Sequence, residues 1–190
     1  MEFIPEQEII SLLNELGISS HKSSEEEVLL EMSEGGTTVC DCLCSSDHDC
    51  CDKGVWKCHQ MDSGNVISTL VGAIHKLHKG QTVLIPSCKW RSVFDAVAFS
   101  MAGDEAWQEF DASATIKLNT RDPLLFEVGD EHTLSGLITS LMKDGEGEEQ
   151  ALFLITVGIP LLIHIQPSGT VKLWFGNEAL ADEVREHYAG

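Results

Sequence analysis

The chain has 190 residues, 43% of them apolar, with 12 Lys and Arg against 31 Asp and Glu for a formal charge of −19. That charge repels polyanions, which excludes nucleic acid held by direct phosphate contact and docking on an anionic lipid surface. The length suits one domain, residues 1–190, and no apolar run approaches the eighteen or more residues that cross a bilayer.

The opening MEFIPEQEII is acidic and has neither a basic n-region nor a long apolar h-region. No secretory or transit signal is read there, so a reducing cytoplasm is the expected compartment. Residues 5–16 place Ile9, Leu12, Leu13 and Leu16 at helical spacing, with Pro5 in the first turn and Gly17 as terminator, which predicts an amphipathic helix. Ser19 to Ser24 reads as a polar linker. Glu27 to Met32 and Thr37 to Cys42, separated by Gly35 and Gly36, read as a hairpin.

Residues 37–60 hold six of the seven cysteines, interleaved with Asp41, Asp47, Asp49, Asp52, His48 and His59. If the chain from Thr37 to Cys44 is extended, its period of two puts Cys40, Cys42 and Cys44 on one face and Val39, Asp41 and Leu43 on the other. SSDHDCCDKG has the Ser, Asp and Gly content of a loop that can return Cys50, Cys51, Cys58 and His59 toward the three thiols. Thiolates and imidazoles are the preferred donors of zinc, which takes four in a tetrahedron. The candidate metal ligands are therefore Cys40, Cys42, Cys44, Cys50, Cys51, Cys58 and His59. The C-x-C and C-C spacings depart from the C-x2-C pairs of zinc ribbons, so Cu(I), a dinuclear zinc site and an iron–sulfur cluster stand beside a single zinc. The competing reading is that these are ordinary reduced thiols or disulfides. Six cysteines among aspartates and serines do not resemble a core, and exposed thiols without a ligand are an oxidation hazard.

Ser63 to His78 predicts a helix with Val66, Leu70, Ala73, Ile74 and Leu77 on one stripe. QTVLIP is a buried strand closed by Pro86, and Val93, Phe94, Val97 and Met101 are spaced for a helix ending near Ala102. Between them, Cys88 follows a strand, precedes a helix and has Lys89 and Arg91 beside it. Those are surroundings that activate a thiol, although no G-x-S-x-G, C-x-x-C or C-x5-R pattern accompanies it. A further helical turn or two is read from Asp104 to Phe110. Short strands are read at Ala114 to Leu118 and Leu124 to Val128, and a helix over 129–145.

Ala151 to Ile165, broken by Thr156, Gly158, Pro160 and His164, reads as a core strand pair. QPSG then joins it to a strand in which Val171, Leu173 and Phe175 alternate with Lys172 and Trp174. ALADEVREHYA closes the chain as a helix. His75 and His78 read as helix-surface residues and His164 as a core histidine.

Hairpin signals beside helices favour an α+β fold, a mainly antiparallel sheet with about five helices packed on it and a Cys-rich loop insertion. The expected function is a zinc-binding regulatory or interaction module with a protein partner. The alternatives are a thiol-dependent enzyme using Cys88 as nucleophile, and an acidic protein that binds a basic partner. A phosphate mimic would need its acids on one face, and here they are scattered.

Overall fold

The computed structural model describes residues 1–22, 27–32, 38–45, 56–60, 64–77, 81–167 and 169–188. Along them run β1 (Glu2–Phe3), α1 (Glu6–Glu15), β2 (Ile18–Lys22), β3 (Val28–Met32), β4 (Val39–Cys44), β5 (Trp56–Gln60), α2 (Gly64–Leu77), β6 (Thr82–Pro86), α3 (Trp90–Val97) and α4 (Glu105–Ala114). They continue through β7 (Leu124–Phe126), α5 (Glu131–Asp144), β8 (Leu152–Thr156), β9 (Leu161–Gln166), β10 (Thr170–Phe175) and α6 (Glu178–Tyr188). Eight strands form one sheet in the order β1-β7-β6-β8-β9-β10-β4-β5, and β2 pairs with β3 in a second. All described pairings are antiparallel except β4 with β5. The fold is α+β.

The large sheet is covered on both faces, so its inner strands are apolar throughout rather than alternating. Leu84, Leu154, Ile163 and Leu173 lie on the face packed by α2 to α6, where Ile67, Leu70, Trp90, Phe94, Trp107, Leu137, Leu141 and Val184 fill the main core. The opposite face, with Val83, Ile155, Leu162, Trp174 and Cys40, is packed by Ile9 and Leu13 of α1 and by Ile18, Leu30 and Met32 of the small sheet. Five helices thus lie on one face, and α1 with a hairpin covers the other.

Two sequence expectations change. Val28–Met32 does not pair with the strand after it: it pairs with Ile18–Lys22, which overlaps the Ser19 to Ser24 stretch read as a linker, while β4 crosses to pair with β10. The reason is burial. Cys40, Asp41, Cys42, Leu43 and Cys44 are all buried, and only a strand inside the two-faced sheet can bury both of its sides. The stretch Ala114 to Leu118 is not a strand. Ala114 and Leu118 are buried while Ile116 between them is 87% exposed, a period of four that belongs to the end of α4 and the turns after it.

Candidate functional site

The cysteine edge is built by β4 and β5. The parallel register sets Cys40 beside Trp56, Cys42 beside Cys58 and Cys44 beside Gln60. Cys40, Cys42, Cys44 and Cys58 therefore share one face, the side chains at paired positions pointing the same way. Asp41, Leu43 and His59 share the other. Cys40, Cys42 and Cys44 are buried and Cys58 is exposed. Cys44 is disulfide-bonded, and Cys42 Sγ lies 3.4 Å from Cys44 Sγ. Cys50 and Cys51 fall outside the described residues. Among the described residues no group of three or more Cys, His, Asp or Glu side chains is arranged to hold a metal ion. A sulfur in a disulfide is not a thiolate donor, so Cys44 as it stands cannot serve as one.

Across the sheet the Cys42 row continues through Lys172, His164, Phe153 and Ile85. The Cβ atoms of directly opposed residues on neighbouring strands stand about 5 Å apart, so Cys42 has Lys172 as its neighbour on one side and Cys58 on the other. Lys172 Nζ also sits 5.6 Å over the Trp56 ring, a cation–π contact, and Trp56 meets Trp174 edge to face at 5.0 Å. A cavity of about 190 Å³ opens beside this row, lined by Lys172 and His164 and by the carboxylates of Glu27, Glu31 and Glu148.

His164 stacks on Phe153 at 4.2 Å, and its Nε2 shares a long hydrogen bond of 3.5 Å with the Ser87 hydroxyl. Burial, with the Lys172 charge added, lowers its pKa to about 4. Its folded value lies below the unfolded value of about 6.5. Its contribution is therefore complete above pH 6.5 and is lost as pH falls toward 4. His164→Gln should remove about 1–3 kcal/mol of the stability that the wild type loses between pH 7 and 4. Denaturation midpoints of both proteins across that range check it, and parallel pH profiles would contradict it.

On the other face of β4 lies Asp41, 0% exposed. Arg185 of α6 clasps it twice, Nε to Oδ2 and Nη2 to Oδ1, each at 2.7 Å. Tyr188 donates its hydroxyl to Oδ2, and His59 Nε2 donates to the same oxygen at 3.1 Å. Burial pushes the Asp41 carboxyl upward, but the hydrogen bonds from Arg185 and Tyr188 and the charges of Arg185 and His59 outweigh it and hold the group below its ordinary value. Burial and the Asp41 carboxylate raise Tyr188 in turn. Arg185 Nη1 also reaches Glu178 at 2.7 Å and Asp182 at 2.9 Å. The cluster fastens α6 to the cysteine edge.

Of the residues read as one site, Cys58 joins Cys40, Cys42 and Cys44, and His59 is carried to the opposite face as an Asp41 partner. Cys88 lies elsewhere, half-buried after β6, its carbonyl accepting from Arg121 Nε at 2.9 Å. His75 is buried rather than on the surface: its Nε2 donates to Glu127 O at 2.9 Å and its Nδ1 takes the Thr82 hydroxyl at 2.8 Å. His78 falls outside the described residues. The residues that sequence reasoning missed are Lys172, Arg185 and Tyr188. Strand parity was the available signal for Arg185: it put Asp41 on the side of Val39 and Leu43, and a buried acid needs a cation. Comparisons of this chain with protein-family models, with curated proteins and with solved structures find no match.

Proposed function

We propose that the protein is a regulatory or interaction module operated by thiol–disulfide chemistry at the β4–β5 edge. One observation carries the reading: the Cys42 sulfur touches, at 3.4 Å, a Cys44 sulfur that is disulfide-bonded. Exchange needs a thiolate in contact with a disulfide sulfur. In the step, the Cys42 thiolate attacks Cys44 Sγ, a Cys42–Cys44 bond forms, and the sulfur now bonded to Cys44 leaves as a thiolate that takes up the proton Cys42 gave. Lys172 is the register neighbour of Cys42 on β10, and a cation on that strand favours the thiolate. Exposed Cys58, in register with Cys42, is the point at which a solvent oxidant or reductant enters.

A second reading, uptake of zinc, is favoured by the co-facial register of Cys42 and Cys58 beside Cys40. It requires the Cys44 disulfide to be reduced first, since zinc takes thiolates. In a reducing cytoplasm that form would prevail. The charge of −19 favours a basic protein as the partner of either form.

The test is peptide mapping by mass spectrometry after differential alkylation, on protein equilibrated in glutathione buffers of graded potential, with elemental analysis of the reduced samples. The expected result is a reversible disulfide at Cys44 that appears as two species, one of them Cys42–Cys44, and Cys42→Ser abolishes the second. If all seven cysteines remain thiols at every potential, the switch is wrong. About one equivalent of zinc on the reduced protein, lost on oxidation, supports the second reading.

A further inference from the structure

We propose that the cavity beside the Cys42 row, between β3 and strands β8 to β10, binds a free α-amino acid with an apolar side chain. Its volume is about 190 Å³, space for about six waters. That is below the roughly 300 Å³ at which sites for drug-sized ligands begin, so the occupant is no larger than a single amino acid. Among the described residues no cysteine lines the cavity, and the proposal does not rest on the thiol reading.

The lining carries unmatched charges of both signs. Lys172 of β10 is its one cation among the described residues, and its Nζ meets the Trp56 ring but no carboxylate within ion-pair distance. Glu31 of β3 and Glu148 ahead of β8 are exposed, and neither carboxylate has a partner among the described residues. A third acid, Glu27, already has one.

A second observation is independent of these charges. His164 is 7% exposed and lines the same cavity. Its Nε2 reaches Ser87 at 3.5 Å, and its Nδ1 has no hydrogen-bond partner among the described residues. Among those residues the one unpartnered side-chain atom sealed from solvent is Thr156 Oγ1, so Nδ1 opens onto the cavity. A polar atom in so buried a ring calls for a partner there.

These groups set the ligand class. A molecule with one carboxylate and one ammonium answers both signs, the carboxylate toward Lys172 and the ammonium toward Glu31 and Glu148. His164 Nδ1 adds a hydrogen bond to the polar end. Leu30, Phe153 and Trp174, all buried, supply the apolar part of the lining and receive the side chain. A zwitterion has no net charge, so the field of a chain at −19 does not repel it.

The probes are leucine, 4-methylpentanoate and 3-methylbutylamine, titrated calorimetrically at pH 7. The second is leucine without its amino group, and the third is leucine without its carboxylate. Leucine should bind saturably at one per chain, and each of the others at least tenfold more weakly. The double variant Glu31→Gln with Glu148→Gln, at two exposed positions, should fold normally and weaken leucine at least tenfold while leaving 4-methylpentanoate unchanged. Lys172→Gln should weaken leucine to the same degree and leave 3-methylbutylamine unchanged. Absence of saturable leucine binding, a fragment that binds as tightly as leucine, or unchanged leucine affinity in the double variant overturns the proposal.

Discussion

Arg185→Ala lowers the unfolding free energy at pH 7 by about 3–5 kcal/mol, because it strands the Asp41 carboxylate in the interior without its principal partner. Asp41 is 0% and Arg185 12% exposed, and the two fork-to-fork bonds are both 2.7 Å. The outer contacts of Arg185 add little: Glu178 and Asp182 are 60% and 69% exposed, and solvent screens such pairs. The double variant Asp41→Leu with Arg185→Met should recover most of the loss, since a well-packed apolar pair replaces a buried ion pair at little cost. The pH dependence follows from the direction of the Asp41 shift. Its folded value lies below the unfolded value of about 3.9, so the stabilisation is complete above that pH and is lost as pH falls further. Urea denaturation at pH 7 and pH 3 checks both points. A loss below about 1 kcal/mol at pH 7, the value of a surface pair, would refute the burial argument.

Trp90→Ala is the second large effect, at about 3–5 kcal/mol. Trp90 is fully buried and meets Phe3 and Phe94 edge to face, each at 6.0 Å. Its indole Nε1 donates to Asp122 O at 2.7 Å, and its backbone N–H to Thr120 O at 3.3 Å. The residue thus joins the core to the loop between α4 and β7. Trp90→Phe separates the two roles: most of the apolar contact remains and one hydrogen bond is lost, for about 1 kcal/mol plus the smaller ring. Chemical denaturation of the two variants measures the difference. Equal losses would assign the whole effect to the hydrogen bond and contradict the packing account.

The elements easiest to read in the sequence are those whose signal is local. Gly64–Leu77 and Glu131–Asp144 carry apolar stripes long enough to exceed any competing period, and the strands on either side of QPSG, β9 and β10, pair antiparallel as read. Parity within Val39–Cys44 placed Cys40, Cys42 and Cys44 on one side, because pleating leaves no other choice once the stretch is extended. Trp56–Gln60 gave no such signal. Two of its five residues are only half-buried and the rest exposed, as at a sheet edge, so its apolar pattern is too weak to announce a strand. Its sequence neighbours read as loop, and only pairing with β4 makes it one.

The sequence by itself determined the α+β class, the strong acidity, the dense cysteines and their strand parity, since each depends on composition or on residues a few positions apart. The tertiary structure decided what those cysteines stand beside. β4 pairs with β10, 126 or more residues away in the chain at Cys44 and Thr170. That crossover brings Lys172 next to Cys42 and, on the reverse face, Arg185 and Tyr188 onto Asp41. Such contacts depend on which strands neighbour one another in the sheet. Strand order is fixed by the burial of both faces at once, a property of the assembled layers that no local window contains.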